Sequence, residues 1–339
     1  MADFFKITPA EQAKLMQAAG EQALPNWGIT DASLSLIKYR ENAVFQVDHS
    51  GGRHALRLHR VGYHSDDELR SELQWMQALQ ESGIHTPVVV PSRSGELFVK
   101  HGGDGLPGEI QIDLFEWIDG EQMGSVEEGI ADEKAVGSIY KTIGEIAAEV
   151  HNQASTWQLP DGFVRHAWDA AGLAGDNPFW GRFWELAAAT DAERALLRRV
   201  KDLIYQDLKE MPKTPDCYSM IHADFAPENL LVDASGVRLI DFDDAGFGWH
   251  LFEIATSLYF IRGESYFDQA KAAVIEGYRA HRTLTDEQLR YLPLLTLARG
   301  TTYVGWVHTR HETETAQEMT PVILQMACEA AEEYLSSKA

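Results

Sequence analysis

The stretch 221-IHADFAPENLLVDASGVRLIDFDDA-245 carries the most decisive pattern in the chain. Leu230-Leu231-Val232 and Val237-Arg238-Leu239-Ile240 are short strand-like runs, and Asp233-Ala234-Ser235-Gly236 between them has the composition of a turn. A hairpin there returns the chain on itself, so Asn229 at one end and Asp241 at the other can face one small volume. Asp224 lies just ahead, on the loop that enters the hairpin. An Asn carbonyl and an Asp carboxylate are oxygen donors suited to Mg²⁺, and a free carboxylate beside them can accept a hydroxyl's hydrogen bond. Asp and Asn also form turns, so each alone says little. The three together around an apolar hairpin point to phosphoryl transfer.

That chemistry requires phosphates to be neutralised, an acceptor hydroxyl to be aligned, and its proton to be taken. Asp224 suits the last two tasks. Asn229 offers a neutral metal ligand that adds no further like charge, and Asp241 offers a charged one. Asp243 is a candidate second metal ligand, and Asp243 or Asp244 can instead bond the loop or an amine of the substrate. His222 reads as a structural residue that fixes the loop carrying Asp224.

With 339 residues, 45% of them hydrophobic, the chain can bury a sizeable core and has the length of two lobes. Its 29 Lys+Arg against 52 Asp+Glu give a net charge of −23. No dense basic block appears, which argues against a nucleic-acid partner. Nucleotide binding stays open, because backbone N–H groups and Mg²⁺ supply local positive field. Two cysteines, Cys217 and Cys328, make no disulfide framework and fit a reducing compartment. No leader-like segment and no run of roughly 18 apolar residues is present, so a cytoplasmic protein without membrane association is expected.

Before the central stretch, residues 9–23 read as a helix ended by Pro25. Ser33–Ile37, Ala43–Val47 and Ala55–His59 read as strands. Leu69, Leu73, Met76 and Leu79 recur at helical spacing within 66–82, and Gly83 ends that helix. Val88–Val90, Leu97–Lys100 and Ile110–Trp117 resume strand character. Beyond Gly120 helices dominate, at 134–151, 191–210, 250–261, 266–280, 285–307 and 315–336, with an irregular aromatic-rich stretch at 155–185. The division this suggests is an N-terminal nucleotide-binding lobe with a leading helix over 1–118, and a helical catalytic and acceptor-binding lobe over 119–339.

His222-x-Asp224-x-x-x-x-Asn229, followed by Ile240-Asp241-Phe242-Asp243, resembles the aminoglycoside phosphotransferase/choline kinase superfamily. Its full form is most similar to the branch containing homoserine kinase type II and stress-response Ser/Thr kinases. The resemblance implies a bilobal, protein-kinase-like α+β fold, with a small antiparallel-sheet N-terminal lobe and a large, mainly helical C-terminal lobe. It also implies Asp224 as catalytic base, Asn229 and Asp241 as Mg²⁺ ligands, and ATP as phosphoryl donor.

The N-terminal half extends the likeness. Arg40–Val47, with Asn42, resembles the family's phosphate-covering turn. Arg57 stands where the nucleotide-binding strand carries Lys or Arg, positioned to reach the α- and β-phosphates. Glu72 on the following helix would orient it through a charge-assisted pair. Phe115–Gly120 resembles the inter-lobe hinge, where adenine takes backbone hydrogen bonds near Glu116 and Ile118. Further on, the family pattern of Asp-Pro and then Asp-Leu-Ala is replaced by Gly248-Trp249-His250-Leu251-Phe252-Glu253-Ile254-Ala255. Trp249 takes the place of the first Asp, and Glu253 can serve as the loop-holding carboxylate in place of the second. His151, near the C-terminal end of its helix, is expected to meet the helix dipole.

The function this points to is ATP- and Mg²⁺-dependent transfer to a hydroxyl of a small metabolite, a homoserine-like amino alcohol by the resemblance. The alternatives are a Ser/Thr protein kinase, which would make the acceptor a protein, and a catalytically weak nucleotide-binding regulatory protein. Arg165 and Arg299 are candidates to pair with an acceptor carboxylate, or else to bridge to the chain's many acidic residues. No interface stripe stands apart from the core helices, so no oligomeric state is assigned.

Overall fold

A computed structural model describes residues 4–124, 133–233 and 236–338. They fall into two compact units. The first comprises Met1–Gly120 with Pro160–Val164 and Asp233–Leu239; the second holds Glu121–Leu159, Arg165–Val232 and Ile240–Ala339.

The first unit opens with α1 (Pro9–Ala23). Thr8 and Glu11 form a reciprocal capping box there, and Pro9 sits where a missing N–H costs nothing. Then come β1 (Ser33–Tyr39), β2 (Ala43–His49), β3 (Gly52–Leu58), α2 (Asp66–Glu81), β4 (Val99–His101) and β5 (Ile110–Glu116). The strands form one antiparallel sheet in the order β1-β2-β3-β5-β4. Ile110, Ile112 and Leu114 of β5 join Phe45, Val47, Leu56 and Leu58 in a core that also holds Met16, Ala19 and Ala23 of α1. The alternate β5 residues Gln111, Asp113 and Phe115 are buried too, so this strand is covered on both faces. Val88–Val90, expected as a strand, makes only an isolated bridge, Val89 to Phe115. Pro87 and Pro91 flank it, and prolines cannot donate to a ladder, so the pairing cannot extend.

The second unit contains β6 (Glu121–Gln122), α3 (Val136–Thr156), β7 (Ala167–Trp168), α4 (Ala170–Ala174), α5 (Asp191–Lys209), β8 (Tyr218–Ile221) and β9 (Leu230–Asp233). After β10 (Gly236–Leu239), which counts with the first unit, come β11 (Gly246–Trp249), α6 (His250–Tyr259), α7 (Phe267–His281), α8 (Asp286–Leu289), α9 (Leu292–Thr309) and α10 (Glu314–Ser337). Two departures from expectation stand out. The helix expected over 285–307 is two helices, broken at Arg290-Tyr291; Pro293 in the first turn of α9 favours a fresh start there. A three-stranded sheet, β7-β11-β8, also appears, with β11 parallel to β7 and antiparallel to β8. All ten residues of α6 are buried. The packing of α3 on α7 depends on two glycines. A Cβ on Gly144 would lie 2.1 Å from the Val274 carbonyl oxygen, and one on Gly277 would lie 2.0 Å from that of Lys141. Among the described residues no helix is long and apolar enough to cross a membrane.

Candidate active site

Strand β8 delivers the chain to His222, and the backbone then turns sharply. Ala223 has φ +64° and Asp241 φ +67°; among the described residues these are the two non-glycine positions in the left-handed region. Such backbone is strained by about 1–3 kcal/mol per residue and persists only where its surroundings hold it. The Ala223 N–H donates to Glu253 Oε1 at 2.8 Å. His222 Nδ1 accepts the Asp224 N–H at 3.3 Å, which assigns the ring proton to Nε2, where it donates to Ile240 O at 2.9 Å. His222 and Glu253 thus hold the loop, as the sequence suggested for each.

The turn Pro227–Asn229 then brings Asn229 back towards Asp224. Asn229 Nδ2 donates to Asp224 Oδ2 at 2.7 Å and to Asp224 O at 2.8 Å. Both amide hydrogens are thereby engaged, and Oδ1 is the atom that can face a cation. The hairpin closes at its base where Ile240 N–H donates to Asn229 O at 2.9 Å, so Asp241 follows directly beside Asn229. Asn229 is buried and Asp241 exposed. Ala234 and Ser235, the middle of the expected turn, lie outside the described residues. A carbonyl oxygen and a carboxylate at the base of one hairpin are hard donors that fit Mg²⁺.

The second oxygen of Asp224, Oδ1, accepts a hydrogen bond from Arg299 Nη2 at 2.9 Å. The Asp224 side chain keeps 26% exposure while Arg299 has none. Burial alone would lower the Arg299 pKa, but Tyr303, Asp224 and Asp244 outweigh it and raise it. Arg299 was expected to bridge an acceptor or an acidic residue; it bridges Asp224 itself. Arg165 is also internal. Its Nη2 donates to Asp243 O at 2.6 Å and its Nε to Ala245 O. Trp168 Nε1 bonds Asp244 O, and Trp180 Nε1 bonds Asp244 Oδ1. These contacts clamp the backbone that follows Asp241 and include the buried Asp243.

Glu253 is 1% exposed. Its burial pushes its carboxyl up to about 7, against the pull of His222, the Ala223 N–H and Arg299. His151 lies well inside α3, stacked on His250 at 4.2 Å, with Nδ1 2.9 Å from Tyr278 Oη. Burial draws its pKa well below 6.5, so it is neutral and cannot offer the helix-dipole charge expected of it. Trp249 is a core residue whose Nε1 donates to Pro212 O.

The first unit carries its own polar cluster. Arg57 Nη2 donates to Glu72 Oε1 at 2.8 Å, the pairing expected from sequence, and also to Asp113 Oδ2 at 2.7 Å. Its Nε reaches Asp113 Oδ1 at 3.1 Å, and His59 Nε2 lies 3.0 Å from Asp113 Oδ2. Burial would raise the Asp113 carboxyl, but Arg57 and His59 dominate and hold it at about 2. Asp113 was missed in the sequence; the signal was a single acid within the apolar run Ile110-Gln111-Ile112-Asp113-Leu114-Phe115. Asn42 is buried, with Oδ1 accepting the Arg60 N–H at 3.2 Å. Glu116 ends β5, its N–H donating to Val88 O at 2.9 Å, and Ile118 follows, half-buried.

Antiparallel strands first, helices after, and a polar loop running from β8 into a hairpin are the build of protein-kinase-like enzymes that phosphorylate a hydroxyl. The α+β fold expected from the sequence is the one observed. The chain belongs to the phosphotransferase enzyme family, whose family model matches residues 36–290, and is an enzyme of that hydroxyl-accepting class. Among solved structures, that of a microcompartment-associated aminopropanol kinase is 32% identical, with 96% of this chain and 98% of that chain covered and a TM-score of 0.82. Amicoumacin kinase of Bacillus subtilis (strain 168) is 20% identical over 307 residues, 88% of this chain and 86% of that protein. Homoserine kinase of Chelativorans sp. (strain BNC1) is 29% identical over 276 residues, 77% of this chain and 74% of that protein.

Proposed function

We propose that the protein transfers the γ-phosphoryl group of ATP, with Mg²⁺, to the hydroxyl of a small amino alcohol that carries no carboxylate. The observation that carries the reading is Asp224: a part-exposed carboxylate with both oxygens held, beside Asn229 and Asp241. An ionised carboxylate fixed in this way can still accept a hydroxyl's hydrogen bond, because each oxygen has a second lone pair. The acceptor O–H donates to Asp224. As its oxygen bonds the γ-phosphorus and the bond to the departing ADP oxygen breaks, the proton passes to the carboxylate. Asn229 through Oδ1 and Asp241 through its carboxylate are the assigned metal ligands, with Asp243 a further oxygen donor of the same loop. Bound Mg²⁺ supplies positive charge against the phosphate oxygens.

In the first unit, Arg57 is assigned to the α- and β-phosphates, braced by Glu72 and Asp113, and Asn42 to the turn that covers the phosphates. Because the Glu116 N–H is already engaged with Val88, the adenine is assigned the Glu116 carbonyl and the Ile118 N–H. The amino-alcohol acceptor is supported by similarity to an aminopropanol kinase and to homoserine kinases. A carboxylate-free acceptor is favoured because Arg165 bonds backbone carbonyls and Arg299 bonds Asp224. Neither is placed to receive an acceptor carboxylate. ADP release should be screened over aminopropanols, ethanolamine, homoserine, choline, aminoglycosides and a generic protein acceptor, with Asp224→Asn as control. Turnover on carboxylate-free amino alcohols, falling at least ~10²-fold in the control, is the expected result. Turnover confined to homoserine or to protein would reject the acceptor class, and undiminished turnover in the control would reject the role of Asp224.

A further inference from the structure

Arg299 lies on α9 with none of its side chain exposed. Its Nη2 makes two hydrogen bonds, to Asp224 Oδ1 at 2.9 Å and to Tyr303 Oη at 2.8 Å, while its Nε and Nη1 are buried without an acceptor. Rings enclose the rest: Tyr303, Trp180 and Phe252 have centroids 4.3, 4.9 and 5.7 Å from the guanidinium carbon. Taking a cation out of water and leaving two of its nitrogens without acceptors is unfavourable, and ring faces return only part of the loss. Among the described residues, the carboxylate it hydrogen-bonds is Asp224. A structural arginine would be expected to satisfy more of its donors; this one directs its bonding through a single nitrogen towards the candidate base.

We propose that Arg299 is a positioning residue for phosphoryl transfer, a ring-enclosed cation that fixes the Asp224 carboxylate for the incoming hydroxyl, with Tyr303 fixing Arg299 in turn. The proposal rests on the reading of Asp224 as base. Asn229 holds Oδ2 and Arg299 holds Oδ1, so the carboxylate cannot rotate about its last bond without losing one of them. Arginine suits the task better than lysine. The two hydrogens of Nη2 lie in the guanidinium plane, so the bond to Tyr303 sets the direction of the bond to Asp224, whereas an ammonium would spin. Arg299 acts here on the base, and both hydrogens of Nη2 are already taken.

The test is a double-mutant cycle of Arg299→Met and Asp224→Asn, singly and combined, read as kcat and KM for ATP with the best amino-alcohol acceptor. Arg299→Met should lower kcat ~10²-fold at unchanged KM for ATP, the scale of a misplaced catalytic group. In the Asp224→Asn background it should lower kcat less than ~2-fold, because two residues acting as one unit are not additive. Arg299→Lys should recover part of the loss. Equal losses in both backgrounds would mark a structural role and overturn the proposal, as would a full kcat in Arg299→Met. Full kcat in Asp224→Asn alone would overturn the base assignment and this proposal with it; loss there but not in Arg299→Met overturns the positioning role alone. Should Arg299→Met not fold, Tyr303→Phe deletes only one hydroxyl. The same cycle should then show a ~5-fold loss in kcat that disappears in Asp224→Asn, and a loss equal in both backgrounds would again overturn the proposal.

Discussion

Glu253→Gln should make the protein more stable at alkaline pH than the parent, by an amount that shrinks as pH falls. Glu253 sits in the first turn of α6, with Oε1 on the Ala223 N–H and Oε2 lacking any donor. Burial raises its carboxyl from the ordinary 4.5 to about 7. The folded chain therefore keeps a proton that the unfolded chain has already released. Below the unfolded value Glu253 is neutral in both states and the raised pKa costs nothing. As pH climbs towards 7 the unfolded state gains by ionising, and above 7 the full penalty stands. The gap between 4.5 and about 7 corresponds to about 3 kcal/mol. Gln keeps the oxygen that accepts from Ala223 and has no ionised form. Its advantage should be about 1 kcal/mol at pH 5.5 and about 3 kcal/mol at pH 8, allowing for a constant offset from the amide. Urea unfolding of both proteins, followed by Trp fluorescence at pH 5.5, 6.5 and 8, reads this directly, with equal slopes required for the comparison. If the two stability curves run parallel across that range, Glu253 is not held neutral by burial and the reasoning fails.

In the first unit, Arg57→Met takes the guanidinium away from Glu72 and Asp113, both fully buried, while His59 stays on Asp113, and should lower unfolding stability by about 3–5 kcal/mol. Asp113, held at about 2 in the parent by Arg57 and His59, contributes stability above pH 4 that is lost as pH falls towards 2; acid titrations of the variant should show a smaller loss, the share that His59 still supports. In the second unit, Gly277→Ala sets a Cβ against the Lys141 carbonyl oxygen, and a backbone atom cannot turn aside as a side chain can. A loss of about 3 kcal/mol is expected by chemical denaturation. Combining it with Gly144→Ala should cost less than the sum of the two, since either alone already parts α3 from α7.

What the sequence revealed and what it hid divide along a physical line. The helices expected at 9–23, 66–82 and 191–210 are α1, α2 and α5, and the structure starts each with a local capping box, at Thr8/Glu11, Ser65/Glu68 and Thr190/Glu193. The hairpin base, with Asn229 beside Asp241, follows from two short apolar runs and a turn. Strands β7, β8 and β11 have two to four residues each, too few for alternation to register, and they pair only because tertiary packing aligns them. The prolines around Val88–Val90 and at Pro293 are visible in the sequence, but whether they stop strand pairing or restart a helix is decided by the neighbouring elements. Arginine gives the least directional information: residue type flags Arg165 and Arg299 as important, but whether a guanidinium faces a ligand, a carbonyl or a carboxylate is decided by packing. His151 shows the same for burial, since a helix-end position says nothing about whether the ring can be charged.

The strained backbone gives a physical reason for the depth of polar burial in the second unit. Ala223 adjoins Asp224, and Asp241 is itself a candidate ligand; both take left-handed φ at a cost of about 1–3 kcal/mol each. Glycine at 223 would relieve the strain but would widen the choices open to the loop in both folded and unfolded states. Alanine keeps the loop narrow, provided something holds its N–H, and Glu253 does so from the interior. Downstream of Asp241, Arg165 and Trp168 hold three successive carbonyls, those of Asp243, Asp244 and Ala245. A buried acid with a raised pKa and a buried arginine are each unfavourable alone. Bonded to the backbone beside Asp224 and after Asp241, Glu253 and Arg165 restrict the chain on which both are carried. The stability forgone is then stability converted into fixed geometry, and Glu253→Gln separates the two, because it relieves the ionisation penalty while leaving the hydrogen bond to Ala223 in place.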